Sequence, residues 1–145
     1  MNSGDRGRSR GIATLEFAIV APLLLLLLAG VLDFSMLLRT ATCAADAARA
    51  GTEYGSKSAT AAADTAGMQA AALDAAPGVA GMTATATRSC KCSDGSAVSC
   101  GGTCAGGKMM IYVQVTTQVA APIVFDYPAF NLSDTVSATA SMRAQ

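Results

Sequence analysis

The sequence predicts an α+β chain. One long N-terminal helix crosses a membrane, and a small domain follows with a second helix and about three antiparallel strands. Three observations carry this. Residues 17–38 carry one formal charge, Asp33, in an otherwise apolar run broken only by Ser35. Three later segments alternate apolar and polar residues with a period of two. Four of the five cysteines fall between Cys90 and Cys104.

The apolar stretch from Phe17 to Leu38 spans about 33 Å as a helix, enough for the roughly 30 Å hydrocarbon core of a bilayer. Leucines occupy every position from Leu23 to Leu28. Lipid solvates such a helix on all sides, whereas the rest of this chain has too few long apolar side chains to wrap it. Arg6, Arg8 and Arg10 precede the stretch, and Arg39 alone follows closely. An excess of Arg marks the cytoplasmic side, so the N-terminus is expected inside and residues from about 40 onward outside. A cleaved secretory signal fits poorly, because the apolar region is long and no small-x-small site follows Leu28. The residues before Cys43 also lack the Leu-small-small-Cys pattern of a lipoprotein signal.

Residues 1–10, MNSGDRGRSR, are polar and rich in Gly, Ser and Arg, and read as a disordered leader. Pro22 lies inside the span and predicts a bend or loosening over residues 18–22, because proline removes a backbone donor. Glu16 is a carboxylate near the start of the apolar run, costly at mid-bilayer and cheaper near the interface. It either snorkels to water or meets an opposite charge. Beyond Arg39 the helix is expected to continue to about Tyr54, a rod of roughly 65 Å from Ile12. Ala41, Ala44, Ala45 and Ala48 make a smooth face on it, and Asp46, Arg49 and Glu53 a charged stripe. Gly51 weakens this helix, and Gly55 is the expected stop.

From about Ser58 to Ala75 an Ala-rich stretch reads as a second helix, closed by Pro77-Gly78, with a low-complexity linker as its rival. The period then switches to two. Met82, Ala84 and Ala86 alternate with threonines. Ile111, Val113, Val115 and Val119 alternate with Tyr112, Gln114, Thr116 and Gln118. Val136, Ala138, Ala140 and Met142 alternate with Ser and Thr. Each strand has one apolar face, to be covered by the rod or by the second helix. The stretch from Pro122 to Asn131, PIVFDYPAFN, reads as an aromatic loop that either lids the sheet edge or meets a neighbour.

Cys90, Cys92, Cys100 and Cys104 pose a choice between zinc and disulfides. A C-x-C and a C-x3-C are not the usual pair of C-x2-C knuckles. The orientation places this loop outside the cytoplasm, where disulfides persist. Of the three pairings, a hairpin favours the nested one, Cys92–Cys100 with Cys90–Cys104. Cys43 is left over on the rod, as a buried small hydrophobe or as an intersubunit disulfide partner.

Composition narrows the function. The net charge is zero, and the charged fraction is 14%. Removing residues 1–11 takes away three Arg and one Asp and leaves the remainder at −2. No basic patch argues for nucleic acid. His is absent, and with it the usual general base and the His-dependent metal sites. No nucleophile stands beside a base, and no phosphate-cradling loop is present. The sequence therefore predicts no enzyme, no cofactor and no metal.

The segment around Gly11 adds a resemblance. Gly11 follows a basic leader and precedes Ile12-Ala13-Thr14-Leu15-Glu16-Phe17. This resembles the processing site of type IV prepilins, at which a membrane aspartic peptidase cuts behind Gly. With Ala18 to Leu26, Asp33-Phe34 and the later AADAARAG, residues 11–55 look like the TadE-like family, minor pseudopilins of tight-adherence (Tad) pili. The resemblance implies a pilin-like fold and three regions. These are a cytoplasmic leader over 1–11, a transmembrane and extended helix over 12–55, and an extracytoplasmic α+β domain over 56–145 with a disulfide loop at 90–104. It implies cleavage between Gly11 and Ile12 by a prepilin peptidase, and assembly through Glu16, Phe17 and Pro22. The implied partners are the bacterial inner membrane, other pilin or pseudopilin subunits and the assembly platform. A rival from another class is an unprocessed, permanently anchored binding or adhesion domain; a released toxin-like or inhibitor domain is a third. The mature N-terminus separates the first two, and release into the medium marks the third.

Overall fold

The computed structural model describes residues 6–122 and 134–144, with side chains from residue 13 onward. Its first element is α1, Arg6–Ser56, an unbroken helix of 51 residues and about 75 Å. It starts before the expected Ile12, running through residues 6–10 instead of leaving them without structure. Pro22 does not interrupt it either. At the other end α1 continues through both Gly51 and Gly55, and the reason is packing.

The second helix is split. Helix α2 covers Ala59–Ala63 and α3 covers Thr65–Asp74. Asp64 breaks the expected single helix, because its backbone (φ −87°, ψ 78°) is not helical. Its N–H donates to the Ala61 carbonyl at 3.1 Å, closing α2. Its carboxylate accepts the Gly67 N–H at 2.8 Å, capping α3. Ser58 caps α2 in the same way, its hydroxyl oxygen accepting the Ala61 N–H at 3.1 Å.

Four strands follow: β1 Thr83–Cys92, β2 Ala97–Val98, β3 Met109–Ala120 and β4 Thr135–Arg143. They form one antiparallel sheet in the order β2-β1-β3-β4. The three long strands are those expected, and β2 is a two-residue addition that folds back on β1 at Cys90 and Lys91. The aromatic loop expected after Pro122 lies outside the described residues.

One sheet face is covered, by α1 against β3 and β4 and by α3 against β1. Both expected covers are therefore used. Ala84, Ala86, Val113, Val115, Ala140 and Met142 lie on that face by register and alternation. The covering stripe of α1 is Ala44, Ala47, Ala48, Gly51, Thr52 and Gly55, all buried. It is rotated from the expected stripe, with Ala41 and Ala45 only half-buried. The i, i+3, i+4, i+7 spacing holds.

The core is made of small groups. Met68, Val113 and Val115 are its largest fully buried apolar side chains. Small residues stabilise little per residue, so they work by close approach. A Cβ on Gly51 would meet the Met68 carbonyl oxygen at 2.7 Å and the Val115 methyl at 3.1 Å. A Cβ on Gly55 would run into the Met68 sulfur. Both glycines let α3 lie directly on α1, which outweighs their cost to the helix. Thr117 fixes the sheet along the rod: its buried hydroxyl donates to the Ala44 carbonyl at 2.8 Å.

The four loop cysteines form two disulfides, Cys90–Cys100 and Cys92–Cys104, with Cα separations of 5.2 and 5.8 Å. This corrects the nested pairing. Cys90 lies opposite Val98 in the β1–β2 ladder. The chain leaving β2 therefore brings Cys100 to Cys90, the nearer end. It then turns at Gly101, whose φ of 109° suits glycine, and returns Cys104 to Cys92. Thiol counting on denatured, unreduced protein is expected to find one free thiol, that of Cys43. Four or five free thiols would contradict the bridges. Each bridge closes a short loop and is worth about 2–3 kcal/mol, so Cys92→Ser with Cys104→Ser should lower the melting temperature of the domain.

Asp64 ties the caps to the rod. Its carboxylate also accepts the Tyr54 hydroxyl at 2.9 Å. The Gly67 N–H, and then the Tyr54 hydroxyl, hold its pKa below the usual Asp value. A depressed folded pKa gives stability that is present above the unfolded pKa and is lost as pH falls through the folded one. Asn retains a cap at this position. From about pH 6 to about pH 3, Asp64→Asn should lose less stability than wild type. Equal acid slopes in thermal melts would show that Asp64 does not contribute.

Candidate functional site

The candidate site is the membrane-proximal part of α1. Among the described residues α1 is the one helix long and apolar enough to cross a membrane, and its most apolar window is not buried inside the chain at all. Leu15, Phe17, Leu25 and Phe34 are 64%, 69%, 66% and 61% exposed. A core helix of a soluble domain would be covered, so these values separate an anchor from a core.

Gly11 and Ile12 lie in helical backbone, and their side chains are outside the described residues. Glu16 is exposed on the helix beside Phe17. Among the described residues no ion pair involves it; Arg49–Asp46 at 3.9 Å is the pair formed there. That pair is about 70% exposed on both sides and contributes little. It is also all that forms of the expected stripe, since Glu53 does not join it. Pro22 is exposed, in an unbroken turn. Glu16, Phe17 and Pro22 thus share one surface-exposed segment of helix, with no described part of the domain against it.

Where the anchor meets the domain, Met36, Arg39, Cys43, Pro77, Val79 and Val119 line an open groove of about 520 Å³. Cys43 is half-buried there, less covered than the buried hydrophobe expected, and forms no disulfide within the chain. Among the described residues no group of three or more Cys, Asp or Glu is placed to hold a metal ion.

Gly55 and Asp64 lie where the sequence pattern does not place them, Gly55 inside α1 and Asp64 between two helices, and Gly51 has a packing role that the pattern does not assign. The signal for the glycines was present in their spacing, since Gly51 and Gly55 are four apart and share one helix face.

Residues 11–53 match the family described as TadE-like protein, which bears out the resemblance over the anchor and the start of the rod. No curated protein and no solved structure matches the chain.

Proposed function

From a chain whose residues 11–53 are TadE-like, we propose a structural minor pilin or pseudopilin of a Tad, type IV-like, pilus. It is anchored in the inner membrane by α1, with the leader 1–11 in the cytoplasm and the domain 56–145 on the periplasmic or outer side. The observation that carries this reading is the uncovered apolar surface from Leu15 to Leu38. Lipid covers such a helix in the membrane, and neighbouring helices cover it in a filament. Two disulfides beyond the span support an oxidising location for the domain. Adhesion, secretion and pilus biogenesis all draw on the same surface. TadE-like proteins are structural rather than enzymatic, in keeping with a chain that has no His.

In this reading a prepilin peptidase cuts between Gly11 and Ile12. The freed Ile12 ammonium and the Glu16 carboxylate of a neighbouring subunit then compensate each other in low dielectric and set the axial register. Phe17 and Pro22 lie on the same assembling segment. The peptidase, the assembly platform and other pilin subunits are the partners, and nucleic acid is not among them.

Intact-mass measurement and N-terminal sequencing of membrane-extracted protein test this. The expected mature N-terminus is Ile12, and Gly11→Leu should block its formation by placing a bulky side chain at the scissile position. A protein that keeps its first residues with a prepilin peptidase present would instead be a permanently anchored binding or adhesion domain.

A further inference from the structure

The sheet face turned away from α1 is uncovered by any described element, and its chemistry is uneven. Alternation puts Thr85, Thr116 and Thr139 in one register row across β1, β3 and β4, and Thr87, Gln114 and Ser141 in the next. The Thr116 and Thr139 hydroxyls meet at 2.9 Å. At the end of this face farthest from the membrane the character changes. Tyr112 stands there, paired in register with Arg143, and the Lys91 ammonium lies 5.8 Å from its ring centroid. An Arg143 guanidinium N–H points to the Met110 sulfur at 3.7 Å. Lys91 lies opposite the same Met110 across the ladder. Among the described residues neither cation has a carboxylate partner, and the face carries no Asp or Glu in any of its register rows.

We propose that this face binds an anionic polysaccharide, a uronate-bearing glycan. The Lys91 and Arg143 side chains rise from strands on either side of β3, one register row apart and about 12 Å from each other at the backbone. Lys91 reaches the Tyr112 ring and Arg143 the Met110 sulfur, so that two cations face one end of the sheet. The Tyr112 ring, which the Lys91 ammonium flanks, adds an aromatic edge beside them. The Thr, Gln and Ser rows continue from it for about 14 Å, presenting hydroxyl and amide groups that both donate and accept. The partner is therefore long, rich in hydroxyls and acidic. A nucleic-acid face would spread its cations along the strands to follow the phosphates, whereas here they sit at one end. A protein-docking face would present an apolar anchor at its centre, and this centre is threonine. The inference rests on the placement of the domain outside the cytoplasm proposed above, but its test does not need a pilus.

The experiment uses full-length protein in detergent micelles, immobilised and exposed in turn to alginate, dextran and duplex DNA. Alginate should be retained, with affinity falling as salt rises, and dextran should be retained far less. Lys91→Gln and Arg143→Gln should each weaken alginate binding about fivefold, the scale of one exposed ion pair, with the thermal melt unchanged. Arg143→Lys should keep most of the binding, which separates lost charge from lost fold. No retention of alginate, equal retention of dextran, tighter retention of DNA, or wild-type binding by the Lys91→Gln/Arg143→Gln double variant would each overturn the proposal. Processing at Gly11 and co-isolation with pilus subunits are read separately, so failure here leaves the assembly reading standing and the reverse also holds.

Discussion

Replacing Glu16 by alanine is expected to leave the protein in the membrane and to remove it from its assembly. The substitution takes a charge out of the apolar run, so insertion becomes easier by the cost of that carboxylate. In the assembled state the effect has the opposite sign. The Ile12 ammonium of the neighbour loses its counter-charge in low dielectric, a penalty on the order of 3–5 kcal/mol when one member of a buried pair is removed. That corresponds to a loss of association of a hundredfold or more, by about 1.4 kcal/mol per factor of ten. Two measurements are needed: the amount of variant in the membrane fraction, and its co-isolation with pilus partners. Normal insertion with lost association supports the pair. Normal association would refute it and return Glu16, which is exposed and without an ion pair among the described residues, to a carboxylate that snorkels to the headgroups.

Gly51→Ala should destabilise the domain that follows the anchor, and Gly55→Ala should do so far less. Both substitutions gain about 1 kcal/mol of helix propensity. They differ in what the new methyl meets. At Gly51 the obstacle includes the backbone carbonyl of Met68 at 2.7 Å and the Ala72 Cβ at 3.1 Å. Backbone moves only if α3 shifts as a body, and overpacking of that kind costs about 1–3 kcal/mol. Since Val115 also stands at 3.1 Å, the upper part of that range applies, for a net loss of about 1–2 kcal/mol. At Gly55 the nearest atoms are the Met68 Sδ and Cγ, with a Val113 methyl at 3.2 Å, and methionine adapts its rotamers. Gain and cost then nearly cancel. Thermal melts of the two variants decide the matter. If Gly51→Ala were as stable as wild type, α3 would not be held against α1 as closely as described. If Gly55→Ala proved the worse of the two, Met68 would be less able to move than its chemistry implies.

The apolar span was legible because its signal is local, although the helix that carries it begins earlier than expected and passes Pro22 unbroken. A long apolar run, a basic leader and a Gly followed by Ile-Ala-Thr-Leu-Glu-Phe need no knowledge of contacts. The long strands were legible for the same reason. An alternation such as Ile111, Val113, Val115 writes the buried face directly into the chain. The break at Asp64 was not legible in that way. The Ala-rich stretch around it has helical propensity throughout, and an aspartate inside it reads as a solvated residue. What makes it a double cap is the Tyr54 hydroxyl and the need for α3 to turn back along α1, both tertiary.

Gly51 and Gly55 show the same division more sharply. By propensity alone one weakens a helix and the other ends it. In the fold the helix runs through both and their propensity cost is outweighed, because the missing Cβ is the space that Met68, Ala72 and Val115 occupy. The disulfides divide in the same way. Four cysteines within a short loop pointed to pairing, whereas the pairing itself depended on a two-residue strand too short to show a period. Its register at Cys90–Val98 delivers Cys100 to Cys90. The sequence by itself thus determined the apolar span and the long strands, since each is a property of neighbouring residues. The tertiary structure alone decided which small residues are contacts, which cysteine meets which, and which sheet face stays open. These depend on distances between residues far apart in the chain, and no local pattern carries them.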